Sequence, residues 1–190
     1  MPNVIIIAGP NGAGKTTAAP FLLQRAFAVT EFVNADFIAQ GISVFHPGAA
    51  AMEAGRVMLK RLRELAEERV DFAFETTLAS RSFAPWIVKL KAAGYEFYVD
   101  YLWVPSADLA VARVAERVAL GGHDVPEDVI RRRYESGLQN FFRVYTPLAE
   151  GWRFYDNRRA DGPRLVAEGS REETTQVAVP EIWEPVQKYR

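Results

Sequence analysis

Short apolar segments recur along the chain, and polar residues, glycine or proline close most of them. The clearest is 4–8, whose unbroken apolar character before Gly9 is typical of a strand buried on both faces of a parallel sheet. Similar segments occupy 32–33, 72–74, 95–104 and 152–155. Stretches with helical character follow the first four segments, which favours βαβ units. We therefore predict a three-layer α/β fold with a mostly parallel central sheet.

Periodicity and helix-terminating residues predict where several of the intervening helices lie. Met58, Leu62 and Leu65 recur at helical spacing among charged residues, as in an amphipathic crossover helix. A further helix is expected from about 106 to 120, ended by two glycines, and another from Pro126 onward. Beyond Gly169 the sequence is polar, which indicates a tail over about 170–190 with Trp183 as its only large anchor.

A phosphate-binding motif follows the first apolar segment directly. Residues 9–16, GPNGAGKT, match the pattern G-x-x-x-x-G-K-[ST] and lie between a predicted strand and a predicted helix. Glycines let successive N–H groups point inward, and the helix adds its positive end, so phosphate is the natural guest. Lys15 is expected to hold the β- and γ-phosphates, and Thr16 to place its hydroxyl on Mg²⁺. The expected nucleotide-binding residues are Gly9, Asn11, Gly12, Ala13, Gly14, Lys15, Thr16 and Thr17.

The absence of motifs that mark other nucleotide-binding proteins favours ATP as the nucleotide. The D-x-x-G and N-K-x-D motifs that GTPases use to sense the γ-phosphate and read guanine are absent, as is a signature of ABC-type ATPases. ATP with Mg²⁺ is therefore the expected cofactor pair.

Composition and charge limit the remaining functions. The 190 residues are 49% hydrophobic and 25% charged, which fits one soluble domain over 1–190. A net charge of −1 gives no field that would attract nucleic acid or a membrane. With no cysteine and only His46 and His123 as soft ligands, a transition-metal site is not expected. We see no targeting segment, so the expected location is the cytoplasm.

Polar residues follow the second and third predicted strands, at the sheet edge where ligands gather in open parallel sheets. Asn34 and Asp36 come after the second strand, and Glu75, Thr76 and Thr77 after the third. Asp36 is suited to accept a proton from an attacking hydroxyl or to orient Mg²⁺ through water, although it could equally be a helix N-cap. The other residues could bind a polyhydroxylated acceptor, and capping is again the alternative for the two threonines.

Five short motifs behind the phosphate loop resemble those of the zeta toxin family of P-loop kinases. They are FVNAD at 32–36, FETTL at 74–78, GGHDVP at 121–126, IRRRY at 130–134 and YDN at 155–157. The resemblance extends from the first strand to about Gly169. It implies a P-loop kinase fold with a helical lid, at about 117–134.

The resemblance also implies an activity and roles for individual residues. That activity is ATP-dependent phosphorylation of a nucleotide sugar, UDP-N-acetylglucosamine, at a sugar hydroxyl. Asp36 matches the catalytic base, Lys15 the phosphate lysine and Glu75 a substrate contact. Toxin members of the family usually occur together with a small antitoxin protein. The resemblance therefore implies an antitoxin-like protein partner.

Arginines flank the glycine-rich loop of the predicted lid and could neutralise charge on the transferring phosphoryl group. Successive helical residues turn by about 100°, so the three consecutive arginines at 131–133 cannot all face the phosphates, and at most two can contribute. We choose Arg117 and Arg131, which bracket the loop most closely, with Arg113 as an alternative lid residue. The opposite interpretation is that all of these arginines are solvated surface charges.

The predicted catalytic residues are therefore Lys15, Asp36, Arg117 and Arg131. Two other functions fit the same motifs. One is a kinase of this architecture acting on a sugar acid, a nucleoside or an antibiotic. The other is an ATP-binding interaction module without catalytic activity.

Overall fold

The computed structural model describes residues 1–26, 29–43, 48–122, 124–159 and 161–190. Both histidines, His46 and His123, which the sequence analysis considered as soft metal ligands, lie outside these ranges. No helix within the described ranges is long and apolar enough to cross a lipid bilayer.

The described strands form one sheet that is mostly parallel, as predicted. They are β1 (Asn3–Ala8), β2 (Glu31–Val33), β3 (Phe72–Thr76), β4 (Glu96–Trp103), β5 (Gly151–Asp156), β6 (Arg164–Ser170) and β7 (Glu173–Val177). Their order across the sheet is β2-β3-β1-β4-β5-β6-β7. The first five strands in that order are parallel, and β6 and β7 continue the sheet as an antiparallel hairpin.

Helices flank the sheet and connect its parallel strands. They are α1 (Lys15–Ala26), α2 (Ala35–Ile42), α3 (Ala51–Glu68), α4 (Ala84–Ala92), α5 (Ala107–Ala119), α6 (Glu127–Asn140) and α7 (Pro180–Val186). A π-helical turn, Phe141–Tyr145, extends α6 directly.

Several predicted elements are confirmed. The three apolar positions of the amphipathic helix, Met58, Leu62 and Leu65, are the buried face of α3. The side chain of Ser106 caps α5 by accepting a hydrogen bond from the backbone N–H of Leu109 at 3.1 Å. Pro126 is the N-cap of α6.

The sheet topology creates a crevice at the end of β1. This strand lies between β3 and β4, with Ala8 paired to Thr76 on one side and to Tyr101 on the other. The chain therefore leaves β1 toward one half of the sheet and later returns to build the other half. Ligands of open α/β sheets bind at such a switch point, beyond the carboxyl ends of the strands.

The polar tail expected over about 170–190 is instead part of the folded sheet and core. β7 pairs with β6, and α7 places Trp183 against Trp152 of β5 with ring centroids 5.4 Å apart. Trp183 is only 6% exposed. β7 was not predicted because most of its side chains are exposed, so it lacks the apolar alternation that marks a half-buried strand.

Candidate active site

The loop between β1 and α1 curls closely against its neighbours, and this requires glycine. Gly9 and Gly12 have φ of +141° and +78°, which side chains with a Cβ rarely adopt. A Cβ at Gly9 would overlap the carbonyl oxygen of Leu102, and one at Gly12 would lie 2.5 Å from that of Ala110. The loop ends where α1 begins at Lys15, so backbone N–H groups and the positive end of a helix meet at one point.

Lys15 is buried inside this loop. Its Nζ donates to the carbonyl oxygen of Pro10 at 3.0 Å and lies 3.5 Å from Oε1 of Glu75. Only 6% of the residue is exposed. The loop thus holds an ammonium group beside its main-chain donors, as binding of a polyphosphate requires.

Glu75, at the end of β3, joins the phosphate loop to the end of β2. Its Oε2 accepts hydrogen bonds from Oγ1 of Thr16 and from Nδ2 of Asn34, both at 2.7 Å. The same Asn34 amide lies 3.3 Å from Oγ1 of Thr16. The parallel register of β1 and β3 places Glu75 opposite Ile7, two residues before the loop begins. Glu75 was predicted as a substrate contact, and the structure places it against Lys15 and Thr16.

Asn34, and not Asp36, caps the following helix. The Oδ1 of Asn34 accepts from the backbone N–H groups of Asp36 and Phe37 at 2.7 and 3.3 Å. Asp36 therefore occupies the first turn of α2, and its exposed carboxylate lines the cleft beside the phosphate loop. Helix capping was the alternative interpretation for Asp36, but Asn34 is the residue that caps α2.

A Mg²⁺ ion fits this group of residues. The hydroxyl of Thr16 and the carboxylate of Glu75 are hard oxygen donors that already touch each other. Within the described part of the chain, no group of three or more acidic or histidine side chains could hold a metal by itself. Mg²⁺ usually binds through one or two protein ligands together with nucleotide phosphates and water, and Thr16 and Glu75 are two such ligands.

The cleft beyond the phosphate loop has a volume of about 430 Å³ and both polar and apolar walls. Thr76 and Thr77 line it together with Met58 and Phe83. The two threonine hydroxyls accept from the backbone N–H groups of the residues two positions later, at 3.3 and 3.4 Å. These bonds close turns within the loop and do not cap a helix, because the next helix, α4, begins only at Ala84. Each hydroxyl still carries a proton that it can donate into the cleft.

The arginines of α5 and α6 separate into two groups. Arg113, Arg117 and Arg133 line the cleft. Arg131 is not among its lining residues, and its guanidinium pairs with Asp108 at 2.6 Å and Glu127 at 2.8 Å. Hydrogen bonds from Arg131 to these carboxylates raise its pKa. The structure thus brings Arg117 to the cleft as predicted and places Arg131 in a surface ion pair.

Arg133 takes the position that was predicted for Arg131. Its Nη1 donates to Oδ1 of Asn11 in the phosphate loop at 3.2 Å. Burial lowers the pKa of Arg133, neighbouring Arg132 lowers it further, and Asp36 opposes both effects. An arginine remains charged despite such shifts. A permanent cation therefore lies between the phosphate loop and Asp36.

Asn157 supports the phosphate loop from behind, a role that the sequence did not reveal. Its Nδ2 donates to the carbonyl oxygen of Ala13 at 2.7 Å. Arg113 fixes Asn157 in turn, by donating to the carbonyl oxygens of Asn157 and Arg158 at 2.8 Å each. The available signal was the position of Asn157 just after a predicted strand, where polar residues meet the crevice.

Fold and site together define a P-loop kinase. Residues 1–160 match the family model described as zeta toxin, and the chain belongs to that family. An uncharacterized protein of Haemophilus influenzae is 29% identical over 130 residues, which are 68% of this chain and 91% of that protein.

Solved structures of low sequence identity share the fold. The crystal structure of AvrRxo1-ORF1:AvrRxo1-ORF2 with sulphate ions superposes with a TM-score of 0.77 at 16% identity. All of this chain is covered, but the chain spans only 65% of that protein's length. A structure from the PezAT toxin-antitoxin system of Streptococcus pneumoniae gives a TM-score of 0.65 at 15% identity, covering 100% of this chain and 86% of the other. Family and fold together support an ATP-dependent, kinase-like function.

Proposed function

We propose that the protein transfers the γ-phosphate of ATP to a hydroxyl group of UDP-N-acetylglucosamine or a closely related nucleotide sugar. The observation that carries the proposal is the arrangement around Glu75. A buried lysine, a threonine hydroxyl and a carboxylate meet at the mouth of a phosphate loop, and Asp36 faces the same cleft.

The donor side binds and orients the polyphosphate. Main-chain N–H groups of the loop and the ammonium of Lys15 neutralise the β- and γ-phosphates. When Mg²⁺ is bound, it supplies further neutralisation of the β- and γ-oxygens, with Thr16 and Glu75 as the residues that would hold it. A structure of the AvrRxo1-ORF1:-ORF2 complex with ATP, at a TM-score of 0.75, supports ATP as the nucleotide.

The acceptor side activates a hydroxyl. The oxygen of that hydroxyl forms a bond to the γ-phosphorus as the bond from the γ-phosphorus to the β–γ bridging oxygen breaks. The proton passes to the carboxylate of Asp36, and ADP leaves. Arg117 and Arg133 stand at the cleft, where they stabilise the negative charge of the transferring group.

Family membership suggests the nucleotide sugar, and the cleft suits one. Thr76 and Thr77 present hydroxyls for hydrogen bonds to a sugar, and Met58 and Phe83 present apolar surface for a ring or an acetyl group. A sugar acid or an antibiotic remains the alternative acceptor within the same mechanism.

Asp36→Asn tests the proposed base. The variant keeps the size and hydrogen-bonding reach of the side chain but cannot accept the proton, so transfer should fall by about 10²- to 10⁴-fold. The Kd for ATP should stay within about threefold, because the phosphate loop is intact. Transfer is measured with γ-labelled ATP and UDP-N-acetylglucosamine.

Asp128→Asn is the matched control, because Asp128 is the second residue of α6 as Asp36 is of α2, and it does not line the cleft. Its turnover should equal that of the unaltered protein. Full turnover of Asp36→Asn would reject Asp36 as the base. Absence of labelled nucleotide sugar with the unaltered protein would reject the acceptor.

A protein partner is a second part of the proposal, supported by the relatives. The AvrRxo1 structures contain two different chains, and PezAT is described as a toxin-antitoxin system. We expect an antitoxin-like protein to bind this chain. Co-purification of a protein encoded by a neighbouring gene, with loss of kinase activity in the complex, would support this expectation.

A further inference from the structure

Residues 77–81, here called the acceptor segment, contain a strained position beside the cleft. Leu78 has φ of +54°, a left-handed conformation that is uncommon for residues other than glycine. Its side chain is fully buried, so the backbone cannot change conformation without moving that side chain out of the core. Such strain persists only where surrounding contacts hold it, and it concentrates at functional sites.

Asn140, the last residue of α6, supplies the contacts that hold this conformation. Its Nδ2 donates to the carbonyl oxygen of Leu78 at 2.8 Å, and its Oδ1 accepts from Nε of Arg81 at 3.0 Å. The asparagine is 4% exposed. One buried amide therefore binds the acceptor segment at two points, three residues apart.

Neighbouring residues add two more contacts from the same side. Gly137 lies against the backbone of Thr77, where a Cβ would come within 2.5 Å of the carbonyl oxygen. The hydroxyl of Tyr145 donates to the carbonyl oxygen of Ser80 at 2.8 Å. Tyr145 belongs to the π-helical turn, a type of irregularity that is frequent at functional sites.

We propose that Asn140 is a positioning residue for the phosphate acceptor. It fixes Leu78 in the left-handed conformation, and this conformation turns Thr76 and Thr77 toward the cleft. Asn140 itself is not among the residues that line the cleft. The inference rests on the proposed function, because it assigns Thr76 and Thr77 to the acceptor and not to ATP.

Michaelis constants distinguish a positioning role for Asn140 from a merely structural one. A residue that only stabilises the core would lower the melting temperature and leave both Michaelis constants unchanged. A residue that positions the acceptor segment raises the KM for the acceptor and leaves the KM for ATP unchanged, because the phosphate loop lies on other elements.

Two variants at position 140 and one control provide the test. Asn140→Ala removes both hydrogen bonds, and Asn140→Asp keeps the contact with Arg81 while its ionised carboxylate cannot donate to Leu78. Tyr95→Phe is the control, since it removes a comparable buried bond, from the hydroxyl of Tyr95 to the carbonyl oxygen of Val70 at 3.1 Å, and neither residue is bonded to the acceptor segment.

We expect both Asn140 variants to raise the KM for UDP-N-acetylglucosamine about tenfold, as loss of one buried hydrogen bond implies. Their KM for ATP should stay within about twofold, and Tyr95→Phe should change neither constant. Amide hydrogen exchange of residues 77–81 should accelerate in both Asn140 variants and not in the control.

Equal acceptor KM values in Asn140→Ala and Tyr95→Phe would overturn the proposal. Unchanged exchange of residues 77–81 in Asn140→Ala would overturn it as well, whatever the acceptor is. If the unaltered protein does not phosphorylate UDP-N-acetylglucosamine, the acceptor named above is wrong, and hydrogen exchange alone then decides the role of Asn140.

Discussion

Glu75 contacts the phosphate loop, although the sequence predicted that it contacts the acceptor. Its place after a strand and the family resemblance both favoured a contact with the substrate. Distances of 2.7 Å to the hydroxyl of Thr16 and 3.5 Å to Nζ of Lys15 place it on the donor side. In P-loop proteins an acidic residue from a neighbouring strand helps hold Mg²⁺ together with the loop Ser or Thr. We infer that Glu75 plays that part here.

Glu75→Gln should lower kcat by about 10²- to 10³-fold, because the neutral amide holds Mg²⁺ less tightly beside the phosphates. The Mg²⁺ concentration that gives half-maximal rate should rise, as measured by titrating the metal at fixed ATP. Asp71→Asn is the control, since Asp71 lies at the opposite end of β3 and accepts a hydrogen bond from the backbone of Asn3. A Glu75→Gln variant with an unchanged Mg²⁺ requirement would exclude Glu75 from the metal site.

At the scale of single elements, helix α6 connects the two sides of the cleft. Its first turns place Arg133 at the phosphate loop, and its last residue binds the acceptor segment. Arg131 and Arg133 are two residues apart and point about 200° away from each other. Only one of them can face the cleft, and that residue is Arg133.

Arg133→Ala should lower kcat by about 10²- to 10³-fold, by analogy with other arginines that stabilise a transferring phosphoryl group. Arg131→Ala should leave kcat within about twofold, because its partners Asp108 and Glu127 lie on the surface. Steady-state kinetics of the two variants makes a matched comparison within one helix. A larger loss of kcat in Arg131→Ala than in Arg133→Ala would restore the original sequence prediction.

The sequence predicted elements well where local physics decides the structure. A continuous apolar run identified β1, and a longer, mostly apolar segment identified β4. The phosphate loop was evident because glycine spacing and the following helix act locally. The choice of Arg131 over Arg133 does not match the residues that line the cleft, because which of them faces it depends on how α6 is rotated against the sheet. Contacts between distant residues, such as Asn157 with Ala13, leave no periodic signal at all.

At the scale of the whole molecule, the C-terminal part completes the core. The family model matches residues 1–160, so β6, β7 and α7 lie beyond it. These elements nonetheless extend the sheet, and Trp183 contacts the aromatic rings of Phe142, Trp152 and Phe154. The AvrRxo1 structures cover all of this chain, which indicates that the extension belongs to the shared architecture.

Trp183→Ala should therefore destabilise the entire fold, by about 3–5 kcal/mol, as large-to-small substitutions of buried aromatic residues do. The free energy of unfolding is measured by urea denaturation. Val177→Ala, an exposed position of β7, should change it by at most about 0.5 kcal/mol. ATP should stabilise both variants while they remain folded, because it binds the folded protein and not the unfolded chain. Its binding loop is supported by Asn157, which directly follows β5. If Trp183→Ala lowers the free energy of unfolding by less than about 1 kcal/mol, α7 does not contribute to the stability of the core.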